Sequence, residues 1–517
     1  MNKKAGENLA AVIDIGSNLI KMRVTELQKG DFFDLELLEY PIGLGHEVFH
    51  SEKVSFEMLG EISSTLKGYL QILSEYGITQ YKIVATTALR EAKNCAFIVD
   101  QLKIQNDVIV EVLEDNEENT LIYSEIIRNM VKQTHTEIDL AILSYIGTGG
   151  IGVALYHNGA IVTSQNIPTG SLKLYDILGF MQNQTSDFHV VLDEYIDSVI
   201  EKIHLPCTGK TIDILFVTGK EMEIIAEICD VPLEEGNYVI PEQLIKELYR
   251  RIQNMTPEVI AGSYHLSYDQ AKILYTSLSI YTRILKLTSA KEVISPKIEL
   301  WDAIIRQLIF PKSFARYDAH VKTGAISCAI SLAERYDCDK HHFMIVKEYA
   351  GSIFDRLKKI HGLSAKKRLI LELASILHEC GYYVNAKNYL SSTFGIIRNS
   401  NIYGMAHEEI LLIAHITRYN EFEVPNYHST DYMALSQKNK LAVSKLIAIL
   451  RLADALDKSH KQKIQAVKVR VSNKALVVTG ESSENVCLER WAFQECIPFF
   501  EEVFGIKPQL VVKPLHF

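Results

Sequence analysis

The chain has 517 residues, 47% of them hydrophobic and 23% charged, and a formal net charge of −10. That length points to two to four domains with room for buried cores, and the acidic balance disfavours general nucleic-acid binding. No apolar run reaches the roughly 18 residues of a membrane span. MNKKAGENLAAV lacks a signal-peptide core, and the eight cysteines form no CxxC pair, so a soluble cytoplasmic protein with reduced thiols is expected.

In chain order, Ala10–Asp14, Leu19–Leu27 and Asp34–Tyr40 read as three consecutive strands. The turn between the first two is Asp14-Ile-Gly16-Ser17-Asn18. Its amides suit phosphate oxygens, and Asp14 stands where a carboxylate can hold a hydrated Mg²⁺. An ordinary hairpin turn is the plain alternative. Phe56–Tyr76 has helical apolar spacing, and Tyr81–Ala85 is a buried strand running into ATTALREAKN, residues 85–94. There Thr86, Thr87 and Arg90 cluster at a helix start, a combination of hydroxyls, amides and guanidinium that binds anions. Asp107–Leu113 reads as a strand and EDNEENTLIYSEII as an acidic helix start.

The pattern then repeats. Leu140–Tyr145, Ile151–His157 and Ala160–Gln165 read as strands, with a glycine-rich turn at 146–150 and a hairpin signal at Asn158-Gly159. Gly170–Leu178 begins a helix, and Ile212–Val217 is a strand leading to the helix Lys220–Ile228. Two such units about 130 residues apart imply two related lobes around a cleft. From about Pro311 helical spacing dominates, in Asp318–Glu334, His341–His361, Lys366–His378, Glu408–Arg418 and Lys440–Leu456. From about Ile464 strands and one helix form a small α/β appendix.

Two motif matches are decoys. Gly147–Gly152 fits GxGxxG, but VALYHNG after it reads as a strand, where a dinucleotide site needs a helix. Thr208–Thr211 imitates the end of a P-loop, but His204 stands where the first glycine belongs.

AVIDIGSN, ATTALREAKN, the paired-Glu helix, IPTGSLKL and FVTGKEM together resemble the Ppx/GppA phosphatases, which are exopolyphosphatases and guanosine pentaphosphate phosphohydrolases. The resemblance extends through DAHV, LHECGYYVNAKNY, IIRNSNIYGM and LRLADALD. It implies an α/β fold of two actin/hexokinase-like (ribonuclease H-like) lobes, at 1–133 and 134–305. An all-helical HD-like domain at 306–463 and a small α/β domain at 464–517 would follow. The implied activity is release of terminal phosphate from inorganic polyphosphate or from pppGpp, with Mg²⁺ as cofactor. The other reading is a catalytically weakened binding or sensor protein for polyphosphate or (p)ppGpp. A homodimer is implied, with no nucleic acid or membrane as partner.

The resemblance also assigns roles. Asp14 is the Mg²⁺-linked carboxylate; Gly16, Ser17, Asn18 and Thr87 bind phosphate; Arg90 meets the substrate; and Glu118 of the pair Glu117-Glu118 is the catalytic base. Gly147, Thr148, Gly149 and Gly150 form the second phosphate loop. Departures stand beside these. Tyr145 replaces the family's second-loop Asp, Gly152 replaces its Glu, and Asn119 follows the Glu pair in place of Ala. In the HD-like region His320, His378 and Asp454 stand where ligands belong, but the usual His-Asp pair is His378-Glu379. Tyr389, Ser392 and Arg418-Tyr419-Asn420 replace further expected residues. An active metal site is therefore not expected there. The basic runs Arg356–Lys359, Lys366–Arg368 and Lys458–Lys463 could line a polyphosphate path.

Overall fold

The computed structural model describes residues 9–28, 31–133, 138–179, 181, 188–203, 205–206, 211–310, 314–421, 430–472 and 475–514. His204 and most of Thr208–Thr211 lie outside these residues. The chain divides into two compact units, Met1–Val321 and Lys322–Phe517.

The first unit is built on two sheets. The first sheet contains β1 (Leu9–Ile15), β2 (Leu19–Gln28), β3 (Asp31–Pro41), β4 (Tyr81–Ala85) and β5 (Val110–Val112), in the order β3-β2-β1-β4-β5. β1, β2 and β3 pair antiparallel, whereas β1, β4 and β5 run parallel, so helices must connect the latter. Those helices are α1 (Leu44–Ser51), α2 (Phe56–Glu75), α3 (Thr87–Glu91) and α4 (Cys95–Asn106). In α2, Leu59, Ile62, Leu66 and Leu73 form one buried stripe, and the Ser55 hydroxyl caps the start by accepting from the Met58 amide at 3.1 Å. α5 (Asp115–Gln133) leads out of this sheet.

The second sheet repeats the plan: β6 (Leu140–Ile146), β7 (Ile151–His157), β8 (Ala160–Ile167), the helices α6 (Ser171–Leu178) and α7 (Phe188–Ile200), then β9 (Leu215–Thr218) and α8 (Lys220–Ile228). It continues through β10 (Leu233–Glu234), β11 (Asn237–Pro241), α9 (Glu242–Ile252), α10 (Pro257–Tyr264), α11 (Tyr268–Leu285) and β12 (Glu292–Pro296). The strand order β8-β7-β6-β9-β12 mirrors that of the first sheet, with β11 and β10 added antiparallel at the edge. Asn158 and Gly159 turn β7 into β8 with φ of 51° and 83°, the double positive φ of a tight hairpin. The segment after the GxGxxG match is β7, a strand.

α12 (Leu300–Ile309) returns to the first sheet and packs on β1 and α5. Trp301 lies beneath Lys21 and Arg23 of β2, Arg23 pairs with Asp302, and Arg306 reaches Glu125 of α5 at 3.0 Å.

In the second unit the helices Lys340–Arg356, Ala365–Leu377, Tyr389–Arg398, His407–Arg418 and Gln437–Ala455 precede a three-stranded sheet. Its strands are Gln465–Ser472, Ala475–Ser482 and Lys507–Pro514, the last two parallel and joined by the helix Cys487–Phe504.

Candidate functional site

Both duplicated turns open on one cleft of about 920 Å³ within the first unit. At the first turn the Gly16 amide donates to the Leu19 carbonyl at 3.0 Å. The Ser17 and Asn18 carbonyls are held by the amides of Gly45 and Ile42, both at 2.8 Å. The second turn is braced from behind. Amides at the start of α6, from Ser171, Leu172 and Lys173, donate to the carbonyls of Gly147 and Thr148 at 3.0–3.2 Å. A Cβ on Gly170 would lie 2.3–2.6 Å from this turn's backbone, so only glycine fits there. Gly149 packs on Thr87, where a Cβ would come within 2.2 Å of the threonine methyl. The second turn therefore packs directly on the start of α3.

The cleft is lined by Asp14, Gly16, Ser17, Asn18, Thr87, Glu118, Gly147, Thr148 and Gly150, all read from the sequence. Burial drives the Asp14 carboxyl up to about 7; Lys21 opposes this, while Glu118 and Glu299 add to it. Its Oδ1 is buried and has no hydrogen-bond partner among the described residues. Glu118 is 7% exposed, and burial likewise raises its pKa against the pull of Arg90. The Tyr145 hydroxyl donates to Glu118 Oε1 at 3.2 Å, and Arg90 Nη1 lies 3.5 Å from Oε2. Burial first, then Glu118 and Asp14, hold the Tyr145 phenol well above its ordinary range, so it stays protonated and donates.

Arg90 is turned inward. It donates to the Leu113 carbonyl, pairs with Asp115 and reaches Thr87 Oγ1 at 3.0 Å. Asp115 and Thr87 face the cleft beside it.

Two further cleft residues received no role from the sequence. Glu221, at the start of α8, is 8% exposed, and burial pushes its carboxyl up to about 7. The signal was present in FVTGKEM, whose acid had no assigned role. Lys21, cross-strand from Asp14, pairs with Glu299 at 2.8 Å. Burial opposes its charge, but Glu299 outweighs that and raises its pKa. A charged residue within the apolar run LIKMRV was the available clue.

A family model described as "Ppx/GppA phosphatase family" matches residues 42–300, just over half of the chain, and one described as "Ppx/GppA phosphatase, domain III" matches residues 326–490. The chain belongs to the Ppx/GppA phosphatase family. Among solved structures, a Ppx/GppA family member from Aquifex aeolicus is 17% identical with a TM-score of 0.51, covering 59% of this chain and 98% of that chain. An exopolyphosphatase from Cytophaga hutchinsonii is 18% identical with a TM-score of 0.51, over 59% and 98%. At such identity the likeness is one of fold: mixed α/β with actin-like lobes.

In this Ppx/GppA chain Tyr145 of β6 and Gly152 of β7 are cross-strand partners. Tyr145 holds in the second sheet the register that Asp14, paired with Lys21, holds in the first. The space that a side chain at 152 would need is filled: a Cβ there would lie 2.4 Å from Tyr123 Oη and 2.7 Å from Asn119 Oδ1. Asn119 itself donates to Asn166, which donates to Asn116 at 3.1 Å. The absence of a side chain at Gly152 and the side chain of Asn119 are thus complementary in volume.

In the second unit His378 and Asp454 come together. His342 joins His378 and Asp454 there, while His320, exposed on the helix Phe314–Arg335, belongs to the first unit. The Nε2 atoms of His342 and His378 lie 3.3 Å apart, and Asp454 Oδ1 lies 3.3 Å and 3.4 Å from them. Burial disfavours charge on His342, but Asp454 and Asp457 outweigh it and push its pKa up to about 10. Glu379 faces His460 at 3.4 Å. Among the basic runs, Lys366 pairs with Glu409, Arg368 with Asp355 and Glu372, and Lys458 with Asp454.

Proposed function

We propose that this chain is a phosphoanhydride hydrolase that removes terminal phosphate from inorganic polyphosphate, with pppGpp as the other substrate. The observation that carries this is Glu118, a buried carboxylate on the cleft wall beside Asp14, whose inner oxygen has no hydrogen-bond partner among the described residues. Glu118 would take a proton from the attacking water, and its raised pKa brings it nearer the working range of a base at neutral pH. The amides of the two turns, with Thr87 and Thr148, would hold phosphate oxygens, and Arg90 would fix Glu118 and approach the substrate.

Asp14 and Glu221 fit a hydrated divalent cation such as Mg²⁺, because both are oxygen donors at the cleft and Asp14 has an unfilled one. When bound, the ion supplies positive charge to the transferring phosphoryl group. The family resemblance also supports an HD-like reading of 306–463, a small α/β domain at 464–517 and a homodimer.

A second reading, a catalytically weakened sensor for polyphosphate or (p)ppGpp, is favoured by one observation. Tyr145 occupies Glu118 Oε1 and stands where the resemblance calls for a carboxylate. Phosphate release from long-chain polyphosphate and pppGpp, with and without Mg²⁺, beside direct binding of both, separates the readings. Mg²⁺-dependent turnover supports the hydrolase, binding without turnover supports the sensor, and the absence of both turnover and binding removes both readings.

A further inference from the structure

A second set of metal-type side chains lies in the first unit, outside the phosphate turns. His46 and His50 stand one turn apart on α1, at the i, i+4 spacing that places two side chains on one helix face, with ring centroids 4.7 Å apart. Asp176 of α6 meets them: its Oδ1 lies 3.5 Å from His46 Nδ1, and one ligand atom from each of the three residues falls within 4.8 Å of the others.

Two details prepare these groups for a cation. His50 Nδ1 lies 2.9 Å from the His46 carbonyl, so a neutral ring that donates there keeps its Nε2 lone pair for a ligand role. The Asp176 side chain is only 6% exposed, and its Oδ2 is buried with no hydrogen-bond partner among the described residues. An unfilled buried carboxylate oxygen is costly, and a bound cation removes that cost. His46, in contrast, is 73% exposed, which leaves an ion a way in.

We propose that His46, His50 and Asp176 form a site for one borderline-soft transition-metal dication of the Zn²⁺ class. Two imidazole nitrogens and one carboxylate oxygen are a donor set suited to such ions, unlike the all-oxygen donors around Asp14. Three protein ligands leave a fourth position open to water. Because His46 and Asp176 both line the cleft, the ion lies at the cleft wall and ties α1, beside the first sheet, to α6, beside the second. The site stands independently of the phosphatase reading, since it uses none of the residues assigned to hydrolysis.

The test uses the full-length, metal-stripped protein titrated with Zn²⁺ by calorimetry and with Co²⁺ by visible absorption, with thermal melts alongside. The expected result is Zn²⁺ binding that raises the melting temperature, a Co²⁺ band of low-coordinate type, and losses of affinity of about tenfold or more in His50→Ala and Asp176→Asn. His378→Gln, which alters the other His-His-Asp group, should keep this binding. The proposal is overturned if His50→Ala binds as tightly as the parent, if His378→Gln alone abolishes binding, or if neither ion binds.

Discussion

The Tyr145 hydroxyl donates a hydrogen bond to the Glu118 carboxylate at 3.2 Å, so a phenol touches the residue proposed as base. Tyr145 also lies close enough to Asp14 and Glu221 for both to raise its pKa. A neutral donor among three acids lessens the repulsion that a fourth carboxylate would add.

Replacing Glu118 by Gln keeps the shape of the site but removes the proton acceptor. Hydrolysis of polyphosphate should fall to background while ligand affinity stays within a few-fold, because the role is confined to the chemical step. Unchanged turnover would exclude Glu118 from the mechanism.

Tyr145→Phe removes a hydrogen bond that lowers the pKa of Glu118. The acid limb of the pH–rate profile should therefore move to higher pH. Tyr145→Asp adds a carboxylate near Asp14 and should raise Mg²⁺-dependent phosphate release, with half-maximal rate at lower Mg²⁺. Each 1.4 kcal/mol of recovered transition-state stabilisation is about tenfold in rate. A folded Tyr145→Asp variant that is no faster and needs as much Mg²⁺ would refute this account of the second turn.

Gly152→Glu should destabilise the fold rather than restore a ligand. The obstacle is not a positive φ but the contact of any Cβ with Tyr123 and Asn119. Even Gly152→Ala should cost about 1–3 kcal/mol, as overpacking does. Asn119→Ala should recover part of that loss, and a double-mutant cycle by urea denaturation measures the coupling. Strict additivity would show that the two sites do not share this space.

Arg90→Ala should weaken phosphate binding and also lower stability, because Leu113, Asp115 and Thr87 lose their partner. A charge-assisted contact is worth roughly 1.5–3 kcal/mol. Arg90→Lys should not fully rescue, since an ammonium cannot reproduce the fork. Equal affinity in titrations of parent and Arg90→Ala would leave Arg90 a purely structural role.

Asp14 and Glu221 are raised from ordinary values of 3.8 and 4.5 to about 7 in the folded chain. Between those limits the folded state binds more protons than the unfolded one. The contribution of these two groups to stability without metal therefore falls as pH rises through that window, by about 1.4 kcal/mol per pKa unit at most for each. Urea denaturation at pH 5 and pH 7.5 should show this slope, and Asp14→Asn should flatten it. The same slope in parent and Asp14→Asn would contradict the assignment for Asp14.

The sequence by itself determined the strands β1–β9 (but not β10–β12), the two turns and their duplication, because alternation, glycine placement and hairpin signals are local properties of the chain. Tyr81–Ala85 and Ile151–His157 coincide with β4 and β7, and Asp14, Glu118 and the turn residues Gly147, Thr148 and Gly150 reach one cleft. Α11 went unread for a physical reason. It is buried on nearly every face from Ala271 to Leu285, and only its packing among the surrounding elements makes that visible. The return of α12 to the first sheet, the donation from Tyr145 to Glu118, the filling of Gly152's space by Asn119, and the meeting of His342 with His378 and Asp454 were decided only by the tertiary structure. Each depends on which distant segments the chain path brings within a few ångströms, and spacing along a sequence does not carry that distance.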